Sequence, residues 1–513
     1  MKFPVSSLVL VLMLTAVDWS WGQQTPPPPE SGAVDQAPGA RVNENAIHPL
    51  AVKHCSTCHQ PPRPGSMTRD GWPRNFTSMA KWMKEKNLPV DKEELTQLFQ
   101  FYLDNSPEAF EMPPDDFEEC GLAFEKLAVG ELPREERPQV TNINVVDIDG
   151  DGIKEALVCD NLRSQVSVLK FQNNEWIETP LAHVNAPVKT AVFDFEGDGD
   201  MDIVVAGMGI MHPNEDLVGE AHLLINQGNQ SYILFGLIRG VARIADIQPG
   251  DFDGDGDTDF VIAKFGWRET GGLMWLEQRS PDTFRPHEIV GINGPMRLQV
   301  LDQDGDGDQD FVVLITQQHE SLVVFSNDGK GNFTNKILAR AAHPAFGSSS
   351  FQMVDLDGDG DIDILQTNGD MMDENPEWKP YHGIRWFENV NGSYEVHQLS
   401  AMPGCYCARA FDMDGDGDLD VVASSLFFYW DEVDYPSLIW MENDGSQNFT
   451  RRRIAYAPTN LASIDVGDMN GDGIPDILGG GMHVPGPLGR MGRLTLWLGK
   501  GKQEAPPKVD GGL

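Results

Sequence analysis

The stretch Asp412-Met-Asp414-Gly-Asp416-Gly-Asp418-Leu-Asp420 decides the fold of this chain, because versions of it occur seven times. The other six copies begin at Asp147, Asp194, Asp251, Asp302, Asp355 and Asp468. Each copy has oxygen-bearing side chains at positions 1, 3, 5 and 9 and glycines at positions 4 and 6. We call these nine-residue segments acidic loops 1 to 7, in chain order.

The spacing of these side chains predicts a site for a hard cation. Calcium binds six to eight oxygens from carboxylates, backbone carbonyls and water. Glycine supplies the backbone conformations that let a chain wrap around an ion. We therefore expect up to seven Ca²⁺ ions, bound by Asp147, Asp149, Asp151 and Glu155; Asp194, Glu196, Asp198 and Asp202; Asp251, Asp253, Asp255 and Asp259; Asp302, Asp304, Asp306 and Asp310; Asp355, Asp357, Asp359 and Asp363; Asp412, Asp414, Asp416 and Asp420; Asp468, Asn470, Asp472 and Asp476.

The segments that flank the acidic loops predict strands rather than helices. Short β-branched runs such as Asp259-Phe-Val-Ile-Ala follow directly, and a later run in most repeats carries an aromatic residue, as in Leu273-Met-Trp275-Leu. The loops recur every 47 to 57 residues, which is the period of propeller blades or similar arrays. Four strands per repeat, seven times over, predict a mainly β fold, a seven-bladed β-propeller over residues 113–500.

The seventh repeat lacks a fourth strand. Residues 122–129, before the first repeat, have the pattern of the missing strand, and we expect them to close the ring beside the last blade. That closure would bring Cys120 near Cys159, where a disulfide is one expectation and two buried thiols are the alternative. Cys405 and Cys407 are expected in a loop between two blades, and their disulfide state stays open. Residues 501–513 are interpreted as a tail.

Residues of about 120–500 resemble the FG-GAP/VCBS repeat family, which includes the propeller of integrin α-subunits. The acidic loops carry this resemblance, including the variants Glu155, Glu196 and Asn470, which are all oxygen donors. The resemblance implies the propeller fold and calcium binding. It implies no single activity, because a fold does not determine a function.

The N-terminal residues predict export. Residues 1–22 combine Lys2, an apolar core and small residues, as in a secretory signal peptide, and 23–44 form a Pro-rich linker. We expect a periplasmic or secreted protein with no transmembrane segment after signal cleavage. The formal charge of −41 argues against a nucleic-acid partner, since phosphate contacts need Lys and Arg patches.

A second motif, His54-Cys55-Ser-Thr-Cys58-His59, has the Cys-x-x-Cys-His signature of covalent haem c attachment. A redox disulfide or half of a zinc site are the alternatives for a bare Cys-x-x-Cys. Residues 45–112 resemble small all-α, single-haem cytochrome c domains, in which the two thiols bond the haem and His59 ligates the iron. The resemblance implies Met79, seven residues after Trp72, as the sixth ligand, with Met112 as the runner-up.

The face opposite the acidic loops is a second candidate site. Six of the nine propeller histidines are expected there: His183, His212, His319, His343, His382 and His483. The face would be a pocket, a transition-metal site or the docking surface of the haem domain. We expect an electron-transfer protein with a redox partner protein or a small-molecule substrate. A dehydrogenase that feeds its own haem and an adhesion module are the alternatives, and no catalytic motif decides between them.

Overall fold

The computed structural model describes residues 45–131, 137–228, 230–372, 379–426, 435–484 and 488–503. The expected signal peptide (1–22), the linker (23–44) and residues 504–513 of the tail lie outside the described residues.

Three helices form the N-terminal segment, residues 45–112: α1 (Pro49–Cys55), α2 (Trp72–Glu85) and α3 (Lys92–Asn105). Each helix begins with a recognisable signal. Pro49 occupies the first turn of α1, and the Asp91 side chain accepts hydrogen bonds from the first-turn amides of α3 at 3.0 Å. Four apolar side chains are fully buried where the helices meet: Ala51, Trp72, Leu98 and Tyr102.

Twenty-nine strands follow in the described part of the chain, and their bounds show the repeat. The first two are β1 (Glu118–Glu119) and β2 (Leu122–Ala128). Blade 1 contains β3 (Val140–Val146), β4 (Glu155–Asp160), β5 (Gln165–Gln172) and β6 (Glu175–His183). Blade 2 contains β7 (Pro187–Phe193), β8 (Asp202–Gly207), β9 (Gly219–Asn226) and β10 (Tyr232–Val241). Blade 3 contains β11 (Ile244–Gly250), β12 (Asp259–Lys264), β13 (Gly272–Ser280) and β14 (Thr283–Val290).

The remaining blades repeat this order. Blade 4 contains β15 (Pro295–Leu301), β16 (Asp310–Ile315), β17 (Ser321–Asn327) and β18 (Phe333–Arg340). Blade 5 contains β19 (Ser348–Val354), β20 (Asp363–Asn368), β21 (Gly383–Val390) and β22 (Ser393–Ala401). Blade 6 contains β23 (Cys405–Phe411), β24 (Asp420–Ser425), β25 (Leu438–Asn443) and β26 (Phe449–Ala455). Blade 7 contains β27 (Leu461–Gly467), β28 (Asp476–Gly481) and β29 (Leu494–Lys502).

Each blade is an antiparallel sheet, and the seven-bladed β-propeller predicted from the repeats is confirmed. Every acidic loop joins the first strand of its blade to the second. The second strands are buried along their whole length, because each packs between two neighbouring blades. Apolar clusters therefore lie between blades, as between blades 3 and 4, where Phe252, Trp275, Phe311 and Phe325 pack together.

The fourth strand of blade 7 comes from the N-terminal side of the propeller. Strand β2 pairs antiparallel with β29, with Lys126 opposite Trp497. Blade 6 gains a fifth strand, because β1 pairs in parallel with β26. A buried ion-pair cluster also joins the first and last blades: Arg493 contacts Asp160 Oδ2 at 2.8 Å and Glu178 Oε2 at 2.7 Å.

The cysteines correct two expectations. The Cys120–Cys159 disulfide is wrong: both thiols are free, and they belong to different apolar clusters. Cys120 precedes an outer strand of blade 7, whereas Cys159 lies on the buried second strand of blade 1. Cys405 and Cys407, expected in a loop, lie on β23, the first strand of blade 6, and are also buried free thiols.

Candidate functional site

The seven acidic loops have one backbone geometry. In each loop the carboxylate at position 1 accepts hydrogen bonds from the glycine amides at position 4 (2.7–2.8 Å) and position 6 (2.8–3.1 Å). The glycines at both positions have positive φ values, such as 76° at Gly415 and 101° at Gly417. Side chains other than glycine are strained there, which explains why the two glycines recur in every copy.

The acidic residue at position 9 anchors each loop to its blade. In all seven loops it accepts a hydrogen bond from the amide of position 2, as Asp420 does from Met413 at 3.0 Å. In loops 2 to 7 it also accepts a backbone amide from the third strand, at 2.7–2.8 Å. Burial raises the pKa of Asp259, Asp420 and Asp476 to about 6. A nearby cation would favour their charged forms.

Buried carboxylate oxygens that accept no hydrogen bond indicate whether these loops fit a cation. The Asp253 Oδ1 and Asp414 Oδ1 atoms, both at position 3, are buried and accept no hydrogen bond among the described residues. In loop 3 the carboxylates of Asp251, Asp253 and Asp255 lie within 4.8 Å of one another. Buried oxygens of this kind are costly unless they are satisfied. The donor set fits a hard cation, and calcium itself stays a prediction.

A third-strand glutamate beside three of the loops was missed by the sequence reasoning. Glu277, Glu388 and Glu442 each lie two residues after a tryptophan, and each contacts a basic side chain of the fourth strand. The pairs are Glu277–His287 (2.6 Å), Glu388–His397 (2.7 Å) and Glu442–Arg452 (2.5 Å). A Trp-x-Glu pattern that recurs at Trp275, Trp386 and Trp440 in the sequence could have indicated these glutamates.

The Cys-x-x-Cys-His motif lies at the end of α1. Burial and the neighbouring Cys58 raise the pKa of the Cys55 thiol to about 11, and both cysteines are free. The His59 Nδ1 atom is 2.7 Å from the Gln60 carbonyl oxygen. A hydrogen bond from Nδ1 to this carbonyl selects the tautomer whose Nε2 can bind a metal. Burial also lowers the pKa of His59, which favours that neutral imidazole.

The core of the N-terminal segment is one hydrophobic cluster. Among the described residues of this segment, the cluster has four buried members, Ala51, Trp72, Leu98 and Tyr102. Seven partly buried side chains pack against them: Leu50, Cys55, Met67, Phe76, Phe99, Phe101 and Leu103. Helix α2 carries an apolar stripe from Trp72 through Phe76 to Met79, yet Met79 is 37 % exposed. Met112 packs instead against a propeller cluster that includes Met371 and Leu426.

The N-terminal segment docks on the propeller face opposite the acidic loops. At blade 3 the Arg268 guanidinium lies 3.6 Å from the centroid of the Trp82 ring, and Lys86 forms an ion pair with Glu269. At blade 5 the Tyr381 hydroxyl donates to the Ser66 carbonyl at 3.0 Å. The N-terminal segment therefore contacts this face at blades 3 and 5.

Blade 4 lies between these two contacts and brings His319 toward the Cys-x-x-Cys-His motif. Burial, followed by the nearby Arg340 and His59, lowers the pKa of His319 to about 4. His343 and His382 are buried on the same side of blades 4 and 5, and burial places both of their pKa values well below the ordinary one. Neither ring nitrogen of His382 has a hydrogen-bond partner among the described residues. His183, by contrast, is exposed at the end of β6.

Comparison with known families identifies the repeats. A family model described as an FG-GAP-like repeat matches residues 136–205, 251–313, 302–365 and 426–479. These segments contain acidic loops 1 to 5 and loop 7. The chain is therefore a seven-bladed β-propeller that contains FG-GAP-like repeats, preceded by a short helical segment.

Two individual proteins show more distant similarity. The T-cell immunomodulatory protein of Mus musculus is 23 % identical over 269 residues, which is 46 % of this chain and 41 % of that protein. The match thus spans less than half the length of that relative. A crystal structure of BBS1N in complex with ARL6DN covers 71 % of this chain and 93 % of its own, with 12 % identity and a TM-score of 0.42.

No helix among the described residues is long and apolar enough to cross a membrane.

Proposed function

We propose that this chain is an exported electron-transfer protein, in which a c-type haem is held against a calcium-binding propeller that binds a partner. Cys55 and Cys58 would attach the haem covalently, and His59 would ligate its iron. Bound haem supplies one-electron redox chemistry, with a potential set by the axial ligands and the surroundings. The observation that carries the proposal is the His59 Nδ1 contact with the Gln60 carbonyl, which leaves Nε2 as the metal-binding nitrogen.

The exposure of Met79 on helix α2 supports this proposal independently of the motif. A redox disulfide between Cys55 and Cys58, or half of a zinc site, would leave Met79 exposed on the apolar stripe of α2. With a haem attached at Cys55 and Cys58, Met79 would supply a thioether ligand for the iron. Met79 therefore remains our candidate for the sixth ligand.

The propeller's part in the proposal is to bind a partner and to support the haem segment. The contacts of Trp82, Lys86 and Ser66 with blades 3 and 5 hold the segment over blade 4. His319 of blade 4 is close enough to His59 of the haem-attachment motif for His59 to lower its pKa. Calcium in the acidic loops would neutralise carboxylates that otherwise repel one another and so stiffen the blades.

An absorbance spectrum tests the haem directly. The full chain is exported from a host with c-type maturation machinery, and its spectrum is recorded oxidised, dithionite-reduced, and after acid-acetone extraction. We expect a sharp reduced α-band and haem that remains with the protein. A Cys55→Ala, Cys58→Ala double variant is the control and should lose the covalent haem. The absence of covalent haem from the wild-type chain would end the electron-transfer proposal.

A second candidate is a binding or adhesion module in which haem has only a secondary or sensory role. The FG-GAP-like repeats and the similarity to the T-cell immunomodulatory protein favour it, because such propellers commonly act as binding modules. The double cysteine variant also separates the two candidates. Cell-surface or partner binding that is unchanged in that variant favours the binding module, whereas loss of a redox reaction with retained folding favours electron transfer.

A further inference from the structure

A lysine ammonium group lies beside two carboxylates of loop 1. The Lys170 Nζ atom of β5 lies 2.7 Å from Asp149 Oδ2 and 3.1 Å from Glu155 Oε1, the carboxylates at positions 3 and 9. Gln230 donates to the same Asp149 oxygen at 2.6 Å. The Lys170 side chain is only 8 % exposed. Its ammonium group thus contacts two of the four predicted ligand side chains of loop 1.

The corresponding position of the other six blades carries no lysine or arginine. Lys170 follows Leu169, which pairs with Ala156, the first residue after position 9 of loop 1. The same register in blades 2 to 7 places Ile225, Glu277, Ser326, Glu388, Glu442 and Leu498 there. Lys502 reaches Asp414 of loop 6 from β29, but it is 64 % exposed and contacts position 3 alone. Lys170 is therefore specific to loop 1.

Position 9 of loop 1 is also bonded differently. In loops 2 to 7 an aspartate at this position accepts two backbone amides, one from position 2 and one from the third strand. Loop 1 has the longer Glu155, whose Oε2 accepts the Ile148 amide at 2.9 Å while its Oε1 accepts Lys170. The position 9 side chain of loop 1 therefore bonds the Lys170 side chain, whereas the position 9 side chains of loops 2 to 7 bond a backbone amide of the third strand.

We propose that loop 1 is closed by the Lys170 ammonium group and binds no calcium, so that calcium binding is confined to loops 2 to 7. This inference rests on the proposed calcium binding of the propeller. A calcium ion in loop 1 would lie beside a buried ammonium group and would compete with it for the Asp149 and Glu155 oxygens. Both effects oppose binding, because like charges repel strongly where water is excluded.

Matched substitutions at position 5 test the proposal. Calcium bound per full-length chain is counted by elemental analysis after dialysis, for the wild type and for Asp151→Ala in loop 1 and Asp306→Ala in loop 4. We expect Asp306→Ala to lose one calcium and Asp151→Ala to lose none. Loss of one calcium from Asp151→Ala would overturn the inference. A wild-type chain with no calcium would overturn the calcium proposal as well, whereas seven ions would overturn this inference alone.

A gain-of-site variant provides a second measurement. Lys170→Gln removes the ammonium group and retains a polar side chain of similar length. If the variant folds, as judged by circular dichroism, we expect one more bound calcium than in the wild type. An unchanged count in the folded variant would contradict the proposal. If that variant does not fold, the comparison between Asp151→Ala and Asp306→Ala decides the question.

Discussion

The guanidinium of Arg268 lies 3.6 Å from the centroid of the Trp82 ring. This contact joins a loop of blade 3 to helix α2 of the N-terminal segment. These residues are 186 positions apart in the chain. The contact holds the helix that also carries Met79, so the docking of the segment and the surroundings of the proposed haem depend on the same element.

Removal of this contact should loosen α2. A cation–π pair contributes about 0.5–2 kcal/mol. In Arg268→Ala we therefore expect amide hydrogen exchange in α2 to quicken by about 2- to 30-fold, since 1.4 kcal/mol corresponds to a factor of ten. Arg239→Ala, on the exposed outer strand of blade 2, is the control and should leave α2 unchanged. Equal exchange in both variants would show that Arg268 does not support docking.

Arg493 should be the most costly ion-pair residue to remove at the ring closure. Its side chain and its partners Asp160 and Glu178 are each about 2–3 % exposed. Arg493→Ala leaves the buried Glu178 without its cation and leaves Asp160 with only the longer Arg163 contact at 3.6 Å. The variant should lower the free energy of unfolding by about 3–5 kcal/mol. The control is Lys500→Ala, which breaks an exposed pair with Glu125 and should cost about 1 kcal/mol or less. Urea denaturation measures both, and similar losses would contradict this prediction.

Glu320, buried beside Ser348 on blade 4, should make stability depend on pH. Burial raises its pKa from 4.5 to about 8; its hydrogen bonds with Ser348 and the nearby Lys379 oppose this rise, and Asp370 adds to it. A raised carboxyl pKa stabilises the fold at low pH, and that contribution is lost as the pH rises from about 4.5 to about 8, by about 1.4 kcal/mol per unit. Thermal unfolding at pH 6, 7, 8 and 9 should show a steeper decline for the wild type than for Glu320→Gln. Parallel curves would contradict the assignment.

Removal of calcium should destabilise the propeller. At free calcium about 100-fold above its dissociation constant, each occupied loop stabilises the fold by about 2.7 kcal/mol. We expect EGTA to lower the melting temperature by more than about 5 °C, and calcium in excess to restore it. Magnesium in excess is the control and should restore less, because Mg²⁺ requires a tighter octahedral geometry. A melting temperature that EGTA leaves unchanged would exclude calcium from the acidic loops.

The sixth haem ligand can be assigned with two methionine variants. In the oxidised protein a sulfur-to-iron absorbance band reports a methionine ligand. We expect Met79→Ala to lose this band and Met112→Ala to retain it, because Met79 lies on the stripe of α2 and Met112 packs against the propeller. Retention of covalent haem in both variants is the control for attachment. Loss of the band in Met112→Ala alone would assign the runner-up instead.

Much of the fold was predictable because the repeats impose it. Each acidic loop needs positive φ at positions 4 and 6, as at Gly415 and Gly417. An apolar strand precedes each loop and another follows it at a constant spacing. Seven copies leave few architectures other than a seven-bladed propeller. The apolar pattern of residues 122–129 is likewise visible in the sequence, and the structure has β2 beside β29. Calcium occupancy and haem attachment depend on ligands and remain predictions.

Other features depend on contacts between distant segments. The Arg268–Trp82 pair and the Tyr381–Ser66 hydrogen bond join residues whose proximity no local pattern predicts. The Cys120–Cys159 prediction was wrong because the sequence shows that the two chain ends meet but not which strand of a blade each cysteine lies beside. Cys120 precedes the outer strand β2, and Cys159 lies on the buried strand β4. The sequence pattern gives no indication of the role of Lys170, because a single lysine in a strand is not unusual. Only the register of β4 and β5 shows that Lys170 contacts Glu155.

The pairing of β2 with β29 has a consequence for synthesis on the ribosome. About 370 residues separate the two strands, so β2 is made long before its partner exists. At about 5–20 residues per second this delay is about 20–70 s. During that interval the amides of β2 and of the unfinished blades are open to other chains, and exposed strand edges promote aggregation. The nascent propeller is therefore a natural client for chaperones until its last strand emerges.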